Sequence, residues 1–361
     1  MKGKAIHQIT SGFLVGDAIS DEALNIQKVL RQQGSVSEIF SDRDHIAETS
    51  RQLCGPMESF SPTETDLLIY HYSIGSTTLP DALAFPGKKL MIYHNISPPE
   101  YFEEYNPEIA DRLRSGRQGL GEVSREFDIA LADSDFNRRE LDKLGFQDTG
   151  VLPILFDRSK LLSPSNLRRP FFLRKPRTTV LFVGRLVPNK KAEDLLGIFN
   201  LYQKYYNPAS RLVWVGSWGG MELYHRELKM MIDDLGLEDV YLTGHIPREV
   251  LAACFVGADV FVSVSEHEGF CVPVLESFHY GLPIIAYAAA AVPETVGDAG
   301  ILLAEKDSLT FAEAIDLVCR DKNLKRALAQ RGLQRLSDQF SFDRTAELLV
   351  HNISRLLGPA A

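Results

Sequence analysis

The sequence predicts an α/β fold of two doubly wound, Rossmann-like domains, each built on a parallel sheet. Three observations carry that expectation. At 361 residues the chain exceeds one ordinary core, since domains run to about 100–200 residues. Short apolar runs alternate with amphipathic stretches along its whole length, as strands alternate with crossover helices in parallel sheets. The pattern lapses once, between Asp157 and Arg177, where prolines and serines replace it. The expected division is a first domain over 1–156, a linker over 157–177, a second domain over 178–340 and a terminal helix over 341–361.

In the first half, strands are expected near Ala5–Ile9, Val36–Phe40, Asp66–Tyr70, Lys89–Tyr93, Ile129–Ala132 and Val151–Ile154. Between the first two, Ala23, Ile26, Val29 and Leu30 recur on one helical face, and Gly34 closes that helix. The second half restarts with Thr179 to Gly184, almost wholly apolar, as a strand covered on both faces must be. Further strands are expected near Leu212–Val215, Val240–Thr243, Val260–Ser263 and Pro283–Ala286. Helical patterns follow over Leu309–Cys319, Leu324–Phe340 and Phe342–Leu357. Ligands of such sheets bind outside the carboxyl ends of the strands.

Composition narrows the class further. With 39 basic and 48 acidic residues, the net charge of -9 makes nucleic acid a poor general partner. Cys54, Cys254, Cys271 and Cys319 are widely spaced and form no CxxC, which suits reduced thiols in the cytoplasm. No apolar run is long enough to span a membrane, and the first ten residues lack the apolar core of a secretion signal. There is no GxGxxG, P-loop or HExxH, which weakens dehydrogenase, NTPase and metalloprotease readings.

The most informative segment runs from Ser265 to Glu276. A strand ends near Val264, a loop carries Glu266, His267 and Glu268, and Pro273 suits the first turn of a helix that Gly281 and Pro283 stop. Glu268 and Glu276 can then face one crevice, Gly269 permits close backbone approach, and the helix start suits an anion. On spacing alone, two solvated carboxylates flanking a helix start are an equal reading. The form Glu-Gly-Phe-x-x-Pro-x-x-Glu, however, resembles the signature of the GT-B retaining glycosyltransferases of family 4. Gly184-Arg-Leu-Val-Pro-Asn-Lys190 is similar to that family's pyrophosphate-binding element, and Val292 to Gly300 to its following block.

The resemblance implies a GT-B fold, two Rossmann-like domains facing across a cleft, with the terminal helix packing back on the first. It implies a retaining, metal-independent hexosyltransferase that moves a sugar such as mannose or glucose from a UDP- or GDP-linked donor. The acceptor would be a glycan or a lipid-linked glycan in bacterial cell-surface polysaccharide synthesis. Glu276 would bond the donor ribose and Glu268, followed by Gly269 and Phe270, would lie beside the sugar. Arg185 and Lys190 would neutralise the departing diphosphate, where preorganised cations stabilise the transition state directly. His94 resembles the family histidine that faces the donor from the first domain, as a hydrogen-bond partner of the sugar or as a positive charge near the diphosphate. Gly16 lies in a loop matching the family's glycine-rich loop, without its double glycine, and Gly216, Gly244 and His245 would frame the base. No cofactor is expected beyond the donor substrate itself.

Asp42-Arg-Asp44 and Asp133-Ser-Asp135 read as DxD, a metal–diphosphate signature of a different fold, and no metal is assigned to them. From Arg158 to Arg177 the chain carries seven cations and no acid, with Phe171 and Phe172 among them. That stretch is either a solvated hinge or a weak peripheral contact with the inner face of an anionic membrane. Two other functions share these residues: a GT-B sugar-nucleotide epimerase and a non-catalytic sugar-nucleotide-binding protein.

Overall fold

The structure is a computed structural model that describes residues 2–164 and 167–358. Ser165 and Asn166 of the expected linker, and 359–361 of the expected terminal segment, lie outside the described residues. The chain divides into two compact units. One comprises the stretch up to Pro99, Glu108–Asp157 and the chain from Phe340 onward; the other comprises Glu100–Pro107 and Arg158–Gln339.

The first unit is built on a parallel sheet of β1 (Ile6–Ile9), β2 (Ile39–Ser41), β3 (Gly55–Pro56), β4 (Leu67–Tyr72), β5 (Lys88–Tyr93), β6 (Ile129–Ala132) and β7 (Thr149–Val151). Their spatial order is β3-β2-β1-β4-β5-β6-β7, so the order reverses between β1 and β4. Ile6, Leu67, Ile69, Leu90, Ile92, Ile129 and Leu131 bury one face against Ile26, Val29 and Leu30 of the helix Ala18–Gln32. The terminal helix Phe342–Leu357 adds Leu349 and Ile353 to the same core. Asp17 caps the helix Ala18–Gln32 by accepting from the Ser20 amide, and Gly34, at φ 80°, ends it.

The second unit carries β8 (Thr178–Val183), β9 (Ser210–Val215), β10 (Val240–Leu242), β11 (Val260–Ser263), β12 (Ile284–Tyr287) and β13 (Ile301–Leu303), all parallel, in the order β10-β9-β8-β11-β12-β13. Leu181, Val213, Phe261 and Ile285 are fully buried at its centre, as the near-continuous apolar runs require.

Several sequence expectations are corrected. β3 and β13 were not anticipated; at two and three residues of intermediate burial they give almost no periodic signal. β4 runs on to Tyr72, which puts His71 inside the sheet, and β7 begins before its expected place. The unbroken first domain over 1–156 gives way at Glu100–Pro107, where Tyr101 donates to Glu266 Oε2 at 2.9 Å and Asn106 Nδ2 donates to the Gly220 carbonyl at 2.9 Å. The linker is not structureless. Phe171–Leu173 forms a short turn with Phe172 and Leu173 buried, and the Phe172 ring lies 5.3 Å from that of Tyr241. Buried Arg211 in β9 holds this turn by donating to the carbonyls of Phe172 and Lys175. Among the described residues no helix is long and apolar enough to cross a membrane.

Candidate active site

In the second unit the loops at the carboxyl ends of β8, β9 and β11 carry most of the residues singled out from the sequence. After β8 the chain turns through Gly184 and Arg185 into a short turn, Pro188–Lys190, and Lys191 adopts a left-handed conformation at φ 56° before the helix Ala192–Leu201. Asn189 ties this loop to the one after β11: its carbonyl accepts from the Glu266 amide at 2.9 Å and its Nδ2 donates to the His267 carbonyl at 3.0 Å. The two loops are therefore fixed to each other through their backbones. That tie brings Lys190 Nζ within 2.5 Å of Glu268 Oε2, and both side chains are largely buried.

The Glu268 carbonyl accepts from the Ala291 amide at 3.2 Å, which fixes the loop from its other side. Cys271, left-handed at φ 74°, turns the chain into the helix Val272–His279, with Pro273 in its first turn. The Cys271 side chain does not cap that first turn. Glu276, one turn in, is half-buried. Thr295, from the block after the signature, donates to the Phe270 carbonyl at 2.5 Å, and Arg335 donates to the Thr295 carbonyl at 2.9 Å. This explains why the distant Val292–Gly300 block belongs with the signature: it supports the loop that carries Gly269 and Phe270.

Arg185 is exposed and donates to the Gly219 carbonyl at 3.2 Å. Gly216 and Gly244 pair through an isolated bridge at the ends of β9 and β10. A Cβ on Gly216 would lie 1.9 Å from the Gly184 carbonyl oxygen, so close backbone approach dictates glycine there. A Cβ on Gly244 would meet the Trp218 ring at 2.9 Å; that ring stacks on His225 at 4.0 Å, while His245 is exposed. A second polar cluster escaped the sequence analysis. Glu266 accepts from Lys306 at 2.7 Å as well as from Tyr101. Although burial pushes the other way, Lys306, Tyr101 and Lys191 hold the Glu266 carboxyl below its ordinary value.

In the first unit, Gly16 is exposed in a left-handed turn at φ 97°, its amide donating to Asp21 Oδ1 at 3.0 Å. His94 follows β5 directly, and Asn95, left-handed at φ 75°, bends the chain away. The His94 side chain is 2% exposed and both ring nitrogens face inward. Nδ1 lies 3.1 Å from Asp133 Oδ2 and 3.5 Å from Glu22 Oε2, and Nε2 lies 2.9 Å from His71 Nδ1. Both ring nitrogens of His94 thus have partners inside the fold, two carboxylates among them. Burial alone lowers the proton affinity of His94, but Asp133, Glu22 and Asp17 outweigh it and raise its pKa to about 9. Burial lifts Glu22 to about 8, with Asp133 adding and His94 opposing. Burial, then the neighbouring His94 charge, holds His71 well below 6.5.

One of these partners, Glu22, carried a signal in the sequence. Glu22 stands four residues before Ile26, on the apolar face of its helix, where a carboxylate is out of place. The DxD-like pairs are divided among other tasks. Asp133 pairs with His94, whereas Asp135 pairs with Arg138 and Arg139; Asp42 accepts from Thr77 and from the Asp44 amide.

Two doubly wound units of this kind recur in solved structures. Sucrose-phosphate synthase from Thermosynechococcus elongatus superposes with a TM-score of 0.75 at 19% identity, covering 98% of this chain and 99% of that one. Anabaena HepE, solved in complex with UDP and glucose, gives a TM-score of 0.75 at 19% identity over 98% of this chain and 100% of that one. The fold is GT-B. Residues 165–335, all within the second unit, match the family model Glycosyl transferases group 1. Among curated relatives, the O-antigen chain mannosyltransferase B of Escherichia coli is 26% identical over 248 residues, 66% of this chain and 63% of that protein. The chain spans less than two thirds of the length of the curated relatives it matches.

Proposed function

We propose that the protein is a retaining, metal-independent hexosyltransferase that moves mannose or glucose from a UDP- or GDP-linked donor to a glycan or lipid-linked acceptor. The observation that carries the reading is the Lys190–Glu268 pair, held by the Asn189 tie inside the Glycosyl transferases group 1 domain. An ammonium fixed beside a carboxylate at the carboxyl ends of parallel strands suits a sugar joined to a diphosphate. The cation meets the phosphate, and the carboxylate the sugar or the cation itself. Arg185 adds a second, solvent-facing cation, and the start of the helix Val272–His279 adds amide dipoles. Glu276 is the carboxylate for the ribose.

The bond between the anomeric carbon and the phosphate oxygen breaks, and its electron pair leaves on the nucleoside diphosphate. The acceptor oxygen joins the anomeric carbon on the same face, and its proton passes to the departing phosphate oxygen. Arg185 and Lys190 bind and orient that phosphate and stabilise its growing charge without a metal ion. Lys190 is shared between Glu268 and that phosphate.

The relationship to an O-antigen mannosyltransferase supports a place in bacterial cell-surface polysaccharide synthesis, and HepE's complex with UDP and glucose supports a nucleotide-sugar donor. We also propose a cytoplasmic protein that touches the inner face of the membrane weakly through exposed Phe171, Arg168, Arg169, Arg174 and Lys175. Phe172, being buried, has no part in that contact.

The test is to incubate the full chain with UDP- and GDP-linked glucose and mannose and candidate acceptors, with and without EDTA. Transfer that survives EDTA supports the reading. Transfer that requires added manganese contradicts its metal-independent part, and interconversion of the free sugar nucleotide points to an epimerase.

A further inference from the structure

The chain that holds His94 extends beyond its immediate neighbours. His71 Nε2 lies 2.9 Å from Gln8 Oε1, and Gln8 Nε2 donates to the Ala23 carbonyl at 2.9 Å. The register explains the alignment. Gln8 pairs with Ile69, two residues from His71; His71 pairs with Ile92, two residues from His94; and Asp133 follows Ala132, the partner of Tyr93. A period of two keeps Gln8, His71 and His94 on one sheet face. That is the face that receives Glu22 from the helix Ala18–Gln32. Gln8, Glu22, His71 and Asp133 are all buried.

We propose that Gln8, Glu22, His71 and Asp133 are positioning residues that order the protons of one buried chain and so hold His94 as an imidazolium, with both its N–H groups committed inside the fold. The order follows from donor and acceptor chemistry, read from one end. The Gln8 amide nitrogen donates to Ala23, so its oxygen faces His71 and accepts. His71 therefore carries its proton on Nε2, and as a neutral ring it presents a bare Nδ1. His94 Nε2 must then donate to that nitrogen, while its Nδ1 donates to Asp133. Two N–H groups on one imidazole make a cation. The charged and titratable groups facing it are Glu22 and Asp17 from the helix and its cap, His71 from β4 and Asp133 after β6.

Glu22, His71 and His94 also bring three potential ligand atoms within 4.8 Å. An ion needs lone pairs that converge on one point. Here the facing histidine nitrogens are 2.9 Å apart, the rings are within 3° of parallel and their centroids are 5.1 Å apart. The rings therefore lie edge to edge in one plane, with the nitrogens aimed head-on. That is the geometry of an N–H···N bond and not of shared coordination. With both N–H groups committed inside the fold, what His94 offers an anion is its charge. Its use in transfer rests on the proposed function; the proton order does not.

The experiment is nitrogen NMR of the full chain labelled with 15N-histidine. There are nine histidines, so His94→Gln and His71→Gln serve to assign signals. At pH 7.5 His94 should show two protonated nitrogens and lose a proton only near pH 9, and His71 should be neutral with its proton on Nε2 at that same pH. Asp133→Asn should lower the His94 midpoint by about one unit or more. Gln8→Leu should lower it too, although Gln8 does not touch His94, because His71 is then free to turn its proton toward His94. A merely structural role would shift melting and leave that midpoint alone. A neutral His94 at pH 7.5, a His71 proton on Nδ1, or an unmoved midpoint in both folded variants would overturn the proposal. So would stoichiometric zinc binding that removes the two N–H signals. Should either variant fail to fold, the wild-type spectrum decides.

Discussion

At the residue scale, the Lys190–Glu268 pair changes what simple deletion should do. Arg185 is exposed, so Arg185→Ala should slow transfer by about tenfold or more while altering stability by no more than ~0.5 kcal/mol. Lys190→Ala should slow transfer comparably but also destabilise the fold by ~1–3 kcal/mol, since it leaves a buried carboxylate without its cation. Turnover assays and chemical denaturation of both variants check the contrast. Near-normal turnover in both would remove the diphosphate assignment. Glu268→Gln releases Lys190, so calorimetry should show nucleoside diphosphate bound severalfold more tightly while turnover falls. Equal or weaker binding would mean that the two do not compete for the ammonium. Glu276→Gln, by contrast, should weaken donor binding through lost charge-assisted bonds to ribose. These residues were readable because a motif names them. Gln8 and His71 were not, because isolated polar residues inside apolar runs acquire meaning only when the register sets them side by side.

At the scale of elements, the helix Ala18–Gln32 carries a titration that the sheet end must absorb. Glu22 ionises near pH 4.5 when unfolded and about 8 when folded, so the folded chain keeps a proton that the unfolded chain has released; stability then falls as pH rises through that window. His94, at 6.5 unfolded and about 9 folded, acts in the same direction: its contribution is full below 6.5 and lost as pH rises through 9. His71 acts oppositely, losing stability as pH drops below 6.5. Between 4.5 and 6.5 Glu22 and His71 oppose each other, and the steepest loss falls between 6.5 and 8. Glu22→Gln removes one contributor, so denaturation at pH 5 and pH 8.5 should show the variant gaining on wild type at the higher pH by ~1 kcal/mol or more. A gap that does not change with pH would contradict the buried, proton-holding carboxyl. Strands with long apolar runs, such as β8 and β11, were legible for the reason that they are buried on both faces. Gly55–Pro56 and Ile301–Leu303 were not, since pairing with a neighbour and not composition makes them strands. The linker misled for a similar reason, because its order comes from Arg211, 36–39 residues away in sequence.

At the scale of the whole molecule, neither unit is one continuous segment. The first needs the helix Phe342–Leu357 to cover Ile6, Ile26 and Leu90, and a fragment ending at Asp157 lacks it. Such a fragment should aggregate or bind hydrophobic dyes, unlike the full chain. Sequence periodicity found that helix, and the family resemblance, not periodicity, implied that it packs back on the first domain. Retaining, metal-independent transfer from a nucleotide sugar can be followed by anomeric proton NMR. The full chain is supplied with UDP-glucose or GDP-mannose and a glycan acceptor in excess EDTA. Nucleoside diphosphate should be released, and the new linkage of the product should keep the donor's α configuration. A β linkage, or consumption of no sugar nucleotide unless manganese is restored, would contradict retaining, metal-independent transfer.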